Sequence, residues 1–288
     1  MSIEQQQCMV VCASHSPGME RDVERMYGTE FREGLSRARQ IVEEFDPDYI
    51  VLFGGDHRRA FRHVVPTFGV ALSAGIMAEA GHEAAGLAVP QELARELAEH
   101  LLESGIDIAV CRDIELDHAF AQPLRDLTGA LGRYPVIPVA INCATAPLPR
   151  AERVLALGDA VGRFLDSKSG RVLVIGTGGL SHSPPSLELD TYDISDAERA
   201  RIIAEGSEAA RKKIKPAWDA AFLEAVRTAD REALVALTDD AHSNAGAGAN
   251  EVRTWLAASA AGGGVGLELL AYQPVEEWIT GMAVAVSR

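Results

Sequence analysis

Cys8-Met9-Val10-Val11-Cys12-Ala13-Ser14-His15-Ser16-Pro17 decides the reading of this chain. Six apolar residues run without a polar break into a serine- and proline-bounded turn. A short apolar run closed by turn residues reads as a strand buried on both faces, the kind that parallel sheets use. The pattern returns at Tyr49–Phe53, Val136–Ile141 and Arg171–Ile175. Pro138 has no N–H for a ladder, so it points the third run toward a sheet edge. Between the runs lie stripes at helical spacing: Leu35, Ala38, Ile41, Val42 and Phe45, then Leu93, Leu97 and Leu101 behind Pro90, then Val154, Leu157, Val161 and Phe164. Two last strands are expected at Val265–Tyr272 and Met282–Val286. Alternating strand and helix predicts an α/β fold, a three-layer sandwich with a mostly parallel central sheet. A charged, mostly helical segment around residues 195–240 is added to it, as a lid, subdomain or contact surface. No internal repeat or long linker divides the chain, so residues 1–288 read as one catalytic domain.

Composition narrows the function. With 47% hydrophobic residues in 288, the chain can bury a large core. A net charge of −15 argues against nucleic-acid backbones and anionic membranes as partners. It also means that an anionic substrate needs a local cationic pocket. Cys8, Cys12, Cys111 and Cys143 form no CxxC pair and read as free thiols in a reducing compartment. Met1-Ser2-Ile3-Glu4-Gln5 has no basic region leading into an apolar stretch, which points to the cytoplasm. The near-apolar run Trp255–Tyr272 is broken by three glycines at 262–264 and by Glu268, and reads as helix, turn and strand.

The chemistry lies in four histidines, each in a turn. His15 follows the first strand and His57, beside Asp56, follows the second. His118 sits in Asp117-His118-Ala119-Phe120-Ala121-Gln122-Pro123-Leu124, ahead of a helix expected to start near Gln122-Pro123. His182 ends Gly178-Gly179-Leu180-Ser181-His182 after the Arg171 strand. In open α/β sheets, ligands bind beyond the carboxyl ends of strands, which gives these turns one common destination. Glu251 follows a Gly/Ala/Asn stretch and opens a helix. Two histidines and one carboxylate can hold a divalent iron on one face and leave the other open. Two further histidines can then move protons. Each residue also has a plainer reading. Lone histidines in turns are often loop residues, and a glutamate in the first turn of a helix serves the dipole. Asp56 is the expected orienter of His57, and Asp117 or Glu115 that of His118. Glycines 176, 178 and 179 lack the GxGxxG spacing and have no following lysine, so they read as close backbone approach to a small molecule. His63, His82 and His100 read as structural or exposed, and His242 is a spare ligand candidate. There is no HExxH helix and no Gly-x-Ser-x-Gly elbow.

Taken together, these motifs resemble the class III (LigB-type) extradiol ring-cleavage dioxygenases. The matching stretches are Ser14-His15-Ser16-Pro17, Val51-Leu52-Phe53 through Asp56-His57, Ser104-Gly105-Ile106-Asp107, Asp117 through Leu124, and Gly178 through His182. Glu251 with Thr254-Trp255, and Pro274 through Ile279, continue them in order. The resemblance implies Fe(II) held by His15, His57 and Glu251, with His118 and His182 as the acid/base pair. It implies O2 and a catechol as reactants, the catechol being 3-(2,3-dihydroxyphenyl)propionate or a related 3-substituted ring, and a homo-oligomer. Another aromatic diol or aminophenol, a zinc hydrolase, or a non-enzymatic Memo-like metal-binding protein are the competing readings. The chain departs from the family pattern in a shorter helical segment after Pro185, and in Arg58, Arg59, Arg62 and His63 after His57. Arg58 or Arg59 is a candidate partner for a substrate carboxylate, against the plainer reading of a solvated basic turn.

Overall fold

Successive residues of a strand point to opposite faces of its sheet, and here that alternation splits the core in two. The computed structural model describes residues 7–79, 83–189 and 194–287. Val10, Cys12, Val51, Phe53, Val172 and Val174 pack on one side. Met9, Val11, Ile50, Leu52, Leu173 and Ile175 pack on the other. Helices cover both sides, which is why these strands are apolar throughout.

In chain order the strands are β1 (Cys8–Ala13), β2 (Tyr49–Gly55), β3 (Phe68–Ala71), β4 (Ala74–Ile76), β5 (Ala85–Gly86), β6 (Ala109–Cys111), β7 (Ile114–Leu116), β8 (Val136–Ile141), β9 (Val172–Thr177), β10 (Leu267–Val275) and β11 (Thr280–Ser287). Eight form one sheet in the order β10-β11-β1-β9-β2-β8-β3-β6, and β5-β4-β7 form a small second sheet. The four central strands β1, β9, β2 and β8 are parallel. The flanks are mixed: β11 runs antiparallel to β1 and to β10, and β3 antiparallel to β8. Pro138 lies in β8, an internal strand and not an edge. It pairs with Leu52 of β2 and falls just before the Val139–Ile141 stretch that pairs with β3, so the sheet tolerates it there.

The first face carries α3 (Gln91–Glu103), α5 (Ala151–Asp166), α7 (Pro216–Thr228), α8 (Arg231–Asp239), α9 (Ala241–Ala245) and α10 (Val252–Ala261). The opposite face carries α1 (Pro17–Arg21), α2 (Thr29–Phe45) and α4 (His118–Thr128). Helix α10 is buried on every side, and its one charged side chain, Arg253, is bonded to the Pro149 carbonyl and to Asn250. It can lie close to α5 because Gly158 has no side chain: a Cβ there would sit 2.4 Å from the Ala257 carbonyl oxygen. The expected helical segment after residue 195 divides in two. Helices α7 and α8 join the core through Phe222, Leu223, Val226 and Leu234, whereas α6 (Asp196–Arg211) forms part of a cavity wall. Among the described residues no helix is long and apolar enough to cross a membrane. All four cysteines are free thiols.

Candidate active site

The parallel strands deliver their following turns to one end of the sheet, and there the five residues meet. His15 leaves β1, His57 leaves β2, and the turn to His182 leaves β9. Glu251 closes a 3-10 turn, Ala247–Glu251, that runs directly into α10. His118 is the first residue of α4, because Asp117 caps that helix by accepting from the Ala119 N–H at 2.9 Å. The helix thus starts four residues before Gln122-Pro123, and Pro123 lies inside it. Gln122 instead pins the His15 turn. Its side chain accepts from the Ser16 N–H at 2.9 Å and donates to the Ser16 carbonyl at 3.0 Å.

The imidazoles of His57 and His118 stack with centroids 4.5 Å apart, and His15 meets both edge-on at 5.3 and 5.5 Å. Glu251 Oε1 lies 2.7 Å from His57 Nε2 and 3.8 Å from His15 Nε2. Its other oxygen accepts from the Gly179 N–H at 2.7 Å and faces His182 Nε2 at 3.9 Å. Each ring nitrogen that points away from this centre has its own partner. His15 Nδ1 is 2.7 Å from Thr177 Oγ1, and His182 Nδ1 donates to the Leu180 carbonyl at 2.8 Å. His57 Nδ1 is 2.9 Å from Asp117 Oδ2, which also accepts from the His57 N–H. His118 Nδ1 is 2.9 Å from Glu79 Oε1, which accepts the His118 N–H as well.

The last two pairs correct the expected orienters. Asp56 does not hold His57; its carboxylate accepts from the amides of Arg59, Ala60 and Phe61 and shapes the following loop. Asp117 holds His57 and not His118, and Glu115 is exposed on β7. Glu79, which no pattern in the sequence singled out, takes the place behind His118, and its second oxygen pairs with Arg59 Nε at 3.1 Å. The glycines also have a different purpose from the expected one. A Cβ on Gly178 would lie 2.4 Å from that of Glu251, so it admits the carboxylate and not a ligand. A Cβ on Gly248 would lie 2.2 Å from His182 Nε2, and one on Gly179 would lie 2.9 Å from His182 Cε1, so the ring sits in a slot between two backbones. His242 is exposed beside Asn250 and is no part of the site. His100 bonds to the Ala160 carbonyl, His63 is exposed, and His82 lies outside the described residues.

Electrostatics follow from burial and these pairings. Burial drives His15 down to about 3, overriding the nearby Glu251, so its ring is neutral and available as a ligand. Burial acts the same way on His57, but the charge and hydrogen bonds of Asp117 and Glu251 outweigh it and raise His57 well above the ordinary value. Burial would raise Asp117 and Glu251, yet the surrounding histidines hold both well below the usual carboxylate range. Glu79 is lowered too: the hydrogen bond and charge of His118 outweigh its burial.

This donor set fits a divalent metal. Neighbouring donors on one ion with bonds of about 2.1 Å lie about 3 Å apart, and the two Glu251–histidine separations bracket that figure. Outer hydrogen bonds on each ring are what ligating histidines require. His15, His57 and His118 also fall within 4.8 Å of one another, as do Glu79, Asp117 and His118. The second trio is engaged in holding the two rings. The four histidines and Glu251 all open onto one cavity of about 300 Å³, which α6 walls with Arg199, Ile203 and Ser207. Trp278, Ile279 and Leu187 add apolar surface.

The sheet thus gathers four histidines and a carboxylate past the ends of its parallel strands, a donor set that could hold a metal ion. The chain belongs to the LigB family, the catalytic LigB subunit of aromatic ring-opening dioxygenases, whose model matches residues 9–283. It is therefore an enzyme of the dioxygenase class. Three similar proteins are each named 2,3-dihydroxyphenylpropionate/2,3-dihydroxicinnamic acid 1,2-dioxygenase. The one from Azotobacter vinelandii is 38% identical, over 87% of this chain and 88% of that protein. The one from Klebsiella pneumoniae is 37% identical over 94% and 95%. That from a Mycobacterium species is 38% identical over 96% and 97%.

Proposed function

We propose that this chain, acting as one catalytic unit in the cytoplasm, is an Fe(II)-dependent extradiol dioxygenase. It uses O2 to open a catechol ring during aromatic catabolism. Its substrate is 3-(2,3-dihydroxyphenyl)propionate or a related 3-substituted catechol. The observation that carries this reading is the convergence of His15, His57 and Glu251 in one buried cluster, with His118 and His182 beside them on the same cavity.

His15, His57 and Glu251 would hold the metal. Bound there, Fe(II) would bring catechol and O2 to one centre and let electrons pass between them. Proton transfer and the exclusion of water belong to side chains. His118 takes the proton of a catechol hydroxyl at Nε2, since Glu79 occupies its Nδ1 side. A carboxylate behind a ring stabilises the charge that arrives with a proton. His182 has only the Leu180 carbonyl behind it, and delivers a proton at Nε2 to the ring-opening step. That contrast of partners favours this division of labour over the reverse. Apolar walls from Leu187 and Trp278 exclude water around the ring.

The test is oxygen uptake by protein loaded with Fe(II) without air, given 3-(2,3-dihydroxyphenyl)propionate and plain catechol side by side. Uptake with a yellow ring-opened product is the expected result. Silence across a panel of catechols and aminophenols, with iron bound, overturns the reading in favour of a non-enzymatic metal-binding protein.

A further inference from the structure

We infer that Asp219 is the positioning residue for His182, reaching it through Ser181. The inference rests on the ring-cleavage reading above, in which His182 delivers a proton, and adds what aims that ring. Asp219 lies in the first turn of α7, and it is fully buried. Burying a carboxylate is costly unless donors surround it, and three converge here. Oδ1 accepts from the Ser181 N–H at 2.7 Å. Oδ2 accepts from the Ser181 hydroxyl at 2.8 Å and from the Tyr272 hydroxyl at 2.7 Å. A Cβ on Gly281 would lie 2.3 Å from Oδ2, so β11 leaves the space that this carboxylate fills.

Two of those donors belong to Ser181, which sits between the ring and the group that orients it. His182 Nδ1 donates to the Leu180 carbonyl, so ring and acceptor flank Ser181 on either side. Shifting Ser181 therefore disturbs both ends of that bond. His15, His57 and His118 each meet a side-chain oxygen at Nδ1, whereas His182 meets a main-chain carbonyl. Its orientation is set by whatever fixes that stretch of main chain. Gly281 of β11 supplies part of the hold: its carbonyl accepts from the Leu180 N–H at 2.9 Å and its N–H donates to the Ser181 carbonyl at 3.0 Å. That pairing leaves the Ser181 N–H for Asp219. The Ser181 hydroxyl also accepts from the Lys215 N–H at 2.8 Å, just ahead of α7. Asp219 thereby ties the turn to a helix whose Phe222, Leu223 and Val226 belong to the core.

The experiment measures kcat, KM and iron content for Asp219→Asn and Ser181→Ala, each in the wild-type and in a His182→Ala background, with 3-(2,3-dihydroxyphenyl)propionate. Asp219→Asn turns one acceptor into a donor and is expected to lower kcat about 10–100-fold at full iron content, with KM within about threefold. Ser181→Ala keeps the main-chain bond and loses the hydroxyl, so its loss is smaller, about three- to tenfold. In the His182→Ala background either change should alter the residual rate by less than about twofold, since no ring remains to aim. A carboxylate that served folding alone would cost the same factor in both backgrounds. A kcat of Asp219→Asn within about threefold of wild type, or an equal loss in both backgrounds, overturns the inference. Should Asp219→Asn fail to fold, Ser181→Ala decides by the same comparison of backgrounds. If the wild type turns over no catechol, the ring-cleavage reading has failed, and nuclear magnetic resonance of the metal-free full chain decides the positioning separately. The His182 Nδ1 proton, assigned by its loss in His182→Ala, should exchange with water more than about threefold faster in Asp219→Asn than in wild type. A smaller change overturns the inference.

Discussion

Replacing Gly248 by alanine adds one methyl group and tests whether His182 works through its position. The new Cβ would lie 2.2 Å from Nε2, 2.3 Å from Cδ2 and 2.5 Å from Cε1 of His182. Ordinary carbon contacts are at about 3.5–4.0 Å, so the ring must withdraw by about 1 Å or more. Gly179 closes the other side of the slot, with His182 Cε1 2.9 Å from where its Cβ would be. The ring can therefore move only by swinging, which breaks the Nδ1 bond to the Leu180 carbonyl. A misplacement of about 1 Å costs about 100-fold in rate, and overpacking costs about 1–3 kcal/mol of stability. The expected outcome is thus a folded protein with full iron and kcat lowered about 100-fold. Steady-state oxygen uptake, iron analysis and thermal denaturation measure the three quantities. Against a His182→Ala background the same methyl group should cost little, because nothing remains for it to displace. A kcat within about threefold of wild type would refute the reasoning, as would a loss of iron that accounts for the loss of rate.

His118→Ala and His182→Ala should each keep iron and lose about 10²–10⁴ in kcat; iron lost in step with activity would move that histidine into the ligand set. Glu79→Gln retains the shape behind His118 and removes the charge, so kcat should fall about tenfold at full iron content, and an unchanged kcat would show the pair to be idle. Asp117→Asn should weaken iron binding about 10–100-fold, read by chelator competition, since Asp117 orients His57 from a fully buried position. In the metal-free protein His57 is raised above 6.5, so its charged form contributes stability that is present below about 6.5 and lost as pH rises through the folded value. Metal needs the neutral ring, so the gain in Tm on adding iron should grow between about pH 6 and 8; a gain that is flat or shrinks over that range would contradict the assignment of His57.

The strands were legible because burial on both faces leaves a continuous apolar run, and β1, β2, β8 and β9 all carry one. The short strands β3 to β7 were not, since two to four residues show no period, and β5, β6 and β7 carry exposed positions. Four histidines in turns after strands were visible for the same reason that the turns were. Their partners were not. Sequence proximity offered Asp56 to His57 and Asp117 to His118, yet the hydrogen bonds run from His57 to Asp117 and from His118 to Glu79. Such pairings join residues dozens of positions apart and depend on where the small β5-β4-β7 sheet sets Glu79. Pro138 misled by the same route: whether a strand is at an edge depends on its neighbours, and β3 arrives from a different part of the chain.

The strand order also dictates when the site can exist during synthesis. β2, β8, β3 and β6 are neighbours drawn from residues 49–141, so that half of the sheet can pair as soon as it has been made. β1 emerges first, but its two neighbours are β9 and β11, which emerge far later. The strand that carries the His15 turn therefore lacks both sheet neighbours while most of the chain is being translated, with Gln122 of α4 the earlier of the turn's partners to be made, and Glu251 joins it later still. A ribosome-bound fragment ending before β9 would contain His15, His57 and His118 but neither His182 nor Glu251. On the proposed ligand set of His15, His57 and Glu251, a complete set of donors comes together only once Glu251 has been made.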